Sequence, residues 1–512
     1  MISKTLSAVL SGLEVTLTEV EVGFTAGVPG TVIVGLPDNA VKESRERLRL
    51  AIKNSRFDYP GAAKIVINLS PADLRKEGAS LDLPIAVGIL KNQYSLEGDV
   101  FSRYLFYGEV SLDGSLSPVR GVLNLALFAR REGFAGIVVP AGNRVEASFV
   151  RGIAAYALPN LAEVMAFVRD PSAFAPVPPA DSGDDPVLGG GEGEFAEIRG
   201  QHVAKRVMEI AAAGFHNVLL LGPPGAGKSM LAKSLASILP PMTEAEVLET
   251  SLIYSAAGLL GEKTGLVVRR PFRSPHHTIS DVGLAGGGKV PAPGEISLSH
   301  NGVLFLDELP YFKRTALEVL RQPLEDGQIT ISRSLQALTF PARFMLVAAM
   351  NPFTDSSVLT TGGAPGSPGG ARGRYYSRLS RPLLDRIDLQ LEVAAVRIEE
   401  INAPAPGESS ATIRRRVIAA RDTQLRRFRG NKRPCFANGQ MHNPDIRRHC
   451  RLDAPGEELM ARAMERFALS ARGYFRTLKV ARTIADLAGR EAIAPVHLQE
   501  ALQYRTLDFS KY

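Results

Sequence analysis

Short apolar runs at Val218–Leu221, Val303–Leu306 and 345–348 dominate the hydrophobic pattern of the middle of the chain. None alternates with polar residues, so each suits a strand of a parallel sheet buried on both faces. Helix-like stretches separate them between about residues 196 and 395. Nearer the N terminus, 64–69 and 136–140 read as strands, and 40–54 and 122–132 as helices. That pattern predicts an α+β or α/β domain over about residues 1–170, with its own core. The C-terminal part, 396–512, is mostly helical, with helical apolar spacing through 461–469 and 478–487. Two stretches break the pattern. Residues 173–194 are rich in Pro, Gly, Asp and Ser and bury little apolar surface, which predicts an interdomain linker within 171–195. Residues 360–374 have a similar composition but read as a surface loop, because helix-like sequence resumes at Tyr375 and a strand follows at Ile387. The predicted class is α/β: an N-terminal α+β domain, a central parallel-sheet domain at 196–395 and a C-terminal helical domain.

A length of 512 residues allows two to four domains, and 45% hydrophobic with 22% charged residues is ordinary for a globular protein. Two cysteines, Cys435 and Cys450, are too few for a disulfide framework and lack zinc-site spacing, which points to a reducing cytoplasm. No uncharged apolar run approaches the length needed to cross a bilayer, and no long apolar stretch follows residues 1–6. Neither a membrane span nor a cleaved signal is expected. The net charge of +7 is gathered late in the chain. From about residue 401, roughly twenty Lys and Arg stand against about a dozen Asp and Glu. The densest runs, 414–416 and 426–433, suit contact with nucleic-acid phosphate. They equally suit a solvated helical face or salt bridges to neighbouring subunits.

Candidate chemistry starts at residues 222–229. Gly222-Pro223-Pro224-Gly225-Ala226-Gly227-Lys228-Ser229 fills every fixed position of G-x-x-x-x-G-K-[ST], directly after the 218–221 run and before a helix-like stretch. In that setting the loop N–H groups surround a polyphosphate, Lys228 brings a point charge to the β- and γ-phosphates, and the Ser229 hydroxyl holds Mg²⁺. ATP and Mg²⁺ are the expected cofactors. The 303–306 run ends in Asp307-Glu308. Successive strand side chains point to opposite faces, which assigns Asp307 to the metal and Glu308 to polarising the attacking water. The next apolar run leads to Asn351-Pro352, where the Asn351 amide is placed to orient that water and contact the γ-phosphate; the plainer role is a turn residue before proline. Arg386, within 380–389, is a candidate for stabilising charge on a phosphoryl group supplied by a neighbouring subunit, against a surface salt bridge to Asp385 or Asp388. Arg472, at the start of a C-terminal helix, is a candidate to reach the γ-phosphate from a lid, with Arg476 as its competitor.

P-loop, acidic strand end, polar strand end, arginine and helical lid, in this order, resemble the AAA+ ATPases. The likeness narrows at Gly200-Gln201-His202-Val203-Ala204-Lys205-Arg206, Phe272-Arg273-Ser274-Pro275-His276-His277, Pro293-Gly294-Glu295-Ile296 and Arg378-Leu379-Ser380-Arg381-Pro382. These segments resemble the magnesium-chelatase-like branch and, together, the ComM/YifB family over nearly the whole chain. The resemblance implies a ring-forming, hexameric ATPase that drives branch migration on DNA junctions in recombination or natural transformation. Its implied partners are branched or single-stranded DNA and further copies of the chain. A metal-insertion or remodelling ATPase acting on a protein partner is the alternative, because one fold serves several functions.

Relatives in this branch turn an insertion and a hairpin toward a central channel. Lys289, after the glycines at 286–288, and Arg333, in the hairpin-like 327–334, are therefore candidates for gripping a DNA backbone, or else solvated loop charges. Adjacent His276 and His277 make a poor metal site, since neighbouring side chains diverge. In the N-terminal domain, 75–80 resembles the segment around the nucleophilic serine of the Lon protease domain, here Ser80, and the later stretch 107–119 also resembles Lon. The following helix, 121–127, contains no lysine to deprotonate that serine. The resemblance thus implies a Lon-like fold without peptidase activity. Many family members carry several cysteines just after the polar strand end; this chain has Pro352-Phe353-Thr354-Asp355 there, so no structural zinc is expected.

Overall fold

Period-two burial at Ile65, Ile67 and Leu69 makes Lys64–Ser70 a strand of a seven-stranded mixed sheet near the N terminus. The computed structural model that shows this describes the chain apart from residues 1, 77, 181–192, 262–264, 289–290, 334–335, 354–374, 377, 397–406, 432, 434, 468, 506 and 508–512. Across the first sheet the order is 30–34, 64–70, 14–25, 2–11, 104–106, 136–140 and 154–158. The expected elements at 40–54, 64–69, 122–132 and 136–140 are present to within a residue. Helices Asn39–Asn54, Asp82–Gln93 and Leu161–Arg169 share a core with Phe106 and Val138. Helix Val122–Arg131 packs instead with Leu105, Ile137 and Val139, the alternate positions of the same strands and hence the other face.

That second face also meets the central part of the chain. Ile253 and Tyr254 of helix Glu244–Ala257 lie in one apolar cluster with Leu123 and Leu125. Gly121 N donates to Ser255 O at 3.0 Å, and both Leu123 N and the Ser255 hydroxyl donate to the buried Glu146 carboxylate. Burial raises the pKa of Glu146 above the ordinary carboxylate value.

The central sheet has five parallel strands in the order 272–273, 303–306, 345–350, 218–221 and 389–392. Val218–Leu221, Val303–Leu306 and Met345–Met350 are buried at every position, as unbroken apolar runs require. The strand expected at Ile387 begins two residues later. Asp388 N and Leu389 N both donate to Asn217 O, a turn-in that delays the ladder. The C-terminal part is helical: Ser410–Phe428, Asn443–His449, Ala454–Phe467, Ala471–Leu487 and Pro495–Gln503. Ser470 caps the Ala471–Leu487 helix by accepting from Gly473 N. The expected loop at 360–374 and residues 181–192 of the expected linker lie outside the described residues. Among the described residues no helix is long and apolar enough to cross a membrane.

Candidate active site

Strand register decides where the chemistry gathers. Leu221 pairs with Met350, and Leu306 with Ala348, so the segments leading to Gly222, Asp307 and Asn351 end at one edge of the sheet. At Gly222 a Cβ would lie 2.3 Å from Val393 O, so no other residue fits. Gly227 takes a φ of +86° as it turns the loop into helix Lys228–Ile238, whose first N–H groups face the loop.

Lys228 is 7% exposed. Its ammonium donates to Gly222 O at 2.8 Å, Pro223 O at 2.9 Å and Asn351 Oδ1 at 2.9 Å. Burial lowers its pKa, and the nearby Asp307 works in the opposite sense. The Ser229 hydroxyl donates to Asp307 Oδ2 at 2.6 Å, and Asp307 Oδ1 accepts from Glu308 N at 2.9 Å. Asp307 and Glu308 do point different ways, but not through strand alternation. The strand stops at Leu306, and Glu308 diverges because its backbone is left-handed, with φ of 54°. Its half-exposed carboxylate lies 3.2 Å from His277 Nδ1. These groups line an open cavity of about 700 Å³.

The donor set fits a nucleoside triphosphate with Mg²⁺. Lys228 is a buried cation whose hydrogen-bond partners are all neutral, leaving its charge for an incoming anion. Ser229 and Asp307 together offer the hard oxygens that Mg²⁺ takes. Bound there, the metal supplies neutralisation of phosphate charge.

Arg386 and Arg472 do not enter this cavity. Arg386, 5% exposed, donates to Pro382 O at 2.6 Å and pairs with Glu325 rather than with Asp385 or Asp388. Arg472 reaches the same carboxylate at 3.2 Å. Arg476 bonds to Asp388 Oδ1 at 2.5 Å and to Arg386 O at 2.8 Å. All three line a second cavity of about 1290 Å³ to which residues 222–229 contribute nothing.

Models of magnesium chelatase subunit ChlI match residues 20–143 and 194–401, and a model of the ChlI C-terminal region matches 407–505. The YifB protein of Escherichia coli K12 is 43% identical over 96% of this chain and 94% of its own length. The chain belongs to the ComM/YifB family. Competence protein ComM of Haemophilus influenzae is 42% identical over 97% of this chain and 96% of its own. The 38 kDa magnesium-chelatase subunit of Rhodobacter capsulatus is 24% identical over 60% of this chain and 84% of its own. With the family comes the magnesium-chelatase-like AAA+ fold, the parallel sheet and helical C-terminal region described above.

Several contacts in this family member escape sequence reasoning. The His276 and His277 rings do not diverge: they stack with centroids 4.1 Å apart, and His277 also flanks Tyr311 at 5.9 Å. Tyr375 donates to Asn351 O at 2.9 Å. Gln201 Nε2 donates to Ala226 O at 3.3 Å and Ala394 O at 2.7 Å, tying the loop to the edge of the sheet. The only sequence signal for His277 is its place just after the strand that neighbours the acidic one. A hairpin is present, but the stretch 327–334 expected to form it supplies only its first strand, Gln328–Arg333, which Arg333 ends and which pairs with Gln336–Pro341. Lys289 and the stretch after Phe353 lie outside the described residues. Near Ser80, the described residues lining the recess include Arg75, Tyr107, Glu109 and Arg120 but no lysine or histidine.

Proposed function

We propose that this chain is an ATP-driven DNA motor, a ring-forming and hexameric branch-migration helicase of the cytoplasm that acts on DNA junctions in recombination or natural transformation. One observation carries the ATPase part: Lys228, Ser229, Asp307, Glu308 and Asn351 line a single cavity at the edge of the sheet. In the proposed cycle Lys228 and the loop N–H groups bind the polyphosphate, and Ser229 and Asp307 hold Mg²⁺. Glu308 polarises the attacking water, and Asn351 orients it. Arg386 serves the nucleotide of a neighbouring copy, a reading supported by its lining a cavity separate from its own P-loop, and Arg472 is the lid candidate for the γ-phosphate. The competence name of the Haemophilus relative supports the DNA part, as do the basic C-terminal runs. Lys289 and Arg333 are the candidate channel contacts. The domains are proposed as 1–170, 196–395 and 396–512 with a linker at 171–195. The first is a Lon-like unit without peptidase activity, because helix-forming residues 121–127 carry no lysine to deprotonate Ser80.

ATPase rate with forked or four-way DNA, followed across salt concentration, tests the proposal. Stimulation that collapses as salt rises is expected, because phosphate contacts release counterions. Intact basal turnover that no DNA stimulates would transfer the motor to a protein partner, as in a chelatase-like remodelling ATPase.

A further inference from the structure

We propose that the outer face of helix Ser410–Phe428, with Arg429 and Arg433 beyond its end, is a docking surface for nucleic-acid phosphate. The proposal rests on the DNA reading above and gives it a place away from the hairpin. The described arginines between 414 and 433 divide into two sets. One set is tied to backbone oxygens or carboxylates of the fold, the exposed Arg414 included. Arg414 donates to Leu239 O at 3.1 Å, and Arg416 pairs with Glu209 and Glu408. Arg421, 4% exposed, donates to Ala212 O at 2.9 Å, and Arg427 Nη1 bonds to Asp486 Oδ2 at 2.7 Å.

Arg415, Arg426, Arg429 and Arg433 form the other set and are all exposed. Arg415 and Arg426 reach only the hydroxyls of Thr412 at 3.3 Å and Thr423 at 3.2 Å. None of the four has an ion pair with a described carboxylate. Positions 415, 422 and 426 recur on one helical face, and that face runs about 16 Å along the axis. Asp422 is the acid that shares it. Over such a length duplex DNA presents about nine charges. Beside the stripe lies a recess of about 500 Å³ lined by Asp422, Leu425, Arg426, Arg429, Arg433 and Phe436. Its half-buried Leu425 and Phe436 give a sugar or base an apolar floor, while guanidinium forks suit phosphate oxygens. Four guanidiniums facing water against one carboxylate favour a polyanion over a protein surface of mixed charge.

The test is anisotropy of labelled forked DNA with the full-length protein, between about 50 and 200 mM salt. The variant R426Q/R429Q/R433Q breaks no ion pair, so its basal ATPase and assembly should match the parent. Its log–log salt slope should become shallower by about two to three, from roughly 0.7–0.9 per phosphate contact, with affinity down at least about tenfold. R462Q/R466Q, which removes two exposed guanidiniums elsewhere on the helical part, one of them 4.0 Å from Glu458, should leave the slope near the parent's. An unchanged slope in the triple variant overturns the surface, as does poly-glutamate competing as well as DNA of equal charge. Loss of ATP-driven assembly in the triple variant also overturns it, by making the face a subunit contact. A parent protein that binds no DNA would refute the DNA reading itself, an outcome distinct from these.

Discussion

Glu308 is the group on which turnover should depend most steeply, and among the described residues His277 is the side chain that holds its carboxylate. Replacing His277 by alanine removes that contact and leaves Lys228, Ser229 and Asp307 in place. The contact is a charge pair of 3.2 Å between the ring Nδ1 and the carboxylate, and such a pair contributes about 0.2–1 kcal/mol where solvent reaches it. Glu308 is 48% exposed, which sets the expected loss at no more than about 1 kcal/mol. The left-handed backbone at Glu308 fixes where the side chain starts but not where its carboxylate ends, so the loss falls on positioning. One kcal/mol is about a fivefold change in rate. Steady-state phosphate release should therefore show kcat down by up to about fivefold in His277→Ala with KM unchanged, and His277→Asn should recover part of it. A kcat at or above the parent's, or a rise in KM matching the fall in kcat, would refute the positioning role.

Lys228→Ala should abolish nucleotide binding in calorimetric titration, since it removes the buried cation of the loop. Glu308→Gln should bind ATP close to the parent's affinity yet turn it over at least about a hundredfold more slowly, the usual scale for losing a general base. Arg386→Ala should assemble and hydrolyse poorly, and mixing it with Lys228→Ala should restore some activity; no gain on mixing would mean that Arg386 acts within its own subunit. Asp388 tests the fold by pH. It is buried, accepts from Asn217 N at 3.0 Å and Arg476 at 2.5 Å, and its carboxyl is held well below the ordinary range because Arg476 and these hydrogen bonds outweigh burial. A depressed folded pKa gives stability that is present above the unfolded value near 3.9 and lost as pH falls further. Asp388→Asn should cost about 2–3 kcal/mol in urea unfolding at pH 7, for leaving the part-buried Arg476 without its carboxylate, and that cost should shrink by no more than about 1.4 kcal/mol for each pH unit below about 4.

Local chemistry was legible in the sequence and long-range geometry was not. Apolar runs fix buried strands because nothing else in their composition can face water, and the P-loop follows from its own residues and neighbours. The Asp307–Glu308 divergence was expected from a strand that ends one residue too early to supply it; a single left-handed φ does the work instead, which no residue pattern marks at a glutamate. Arg386 and Arg472 were legible as candidates, each from its own segment. Their convergence on Glu325 was not, because it depends on how helix Ala471–Leu487 packs beside the sheet. That convergence has a mechanical meaning. Glu325 lies in the short Pro323–Asp326 helix, and Gly327 joins it to hairpin strand Gln328–Arg333. On the proposed function, a shift of the hairpin would reach Arg386 and Arg472 through Glu325, because that carboxylate pairs with both and its helix is joined to the hairpin by Gly327 alone.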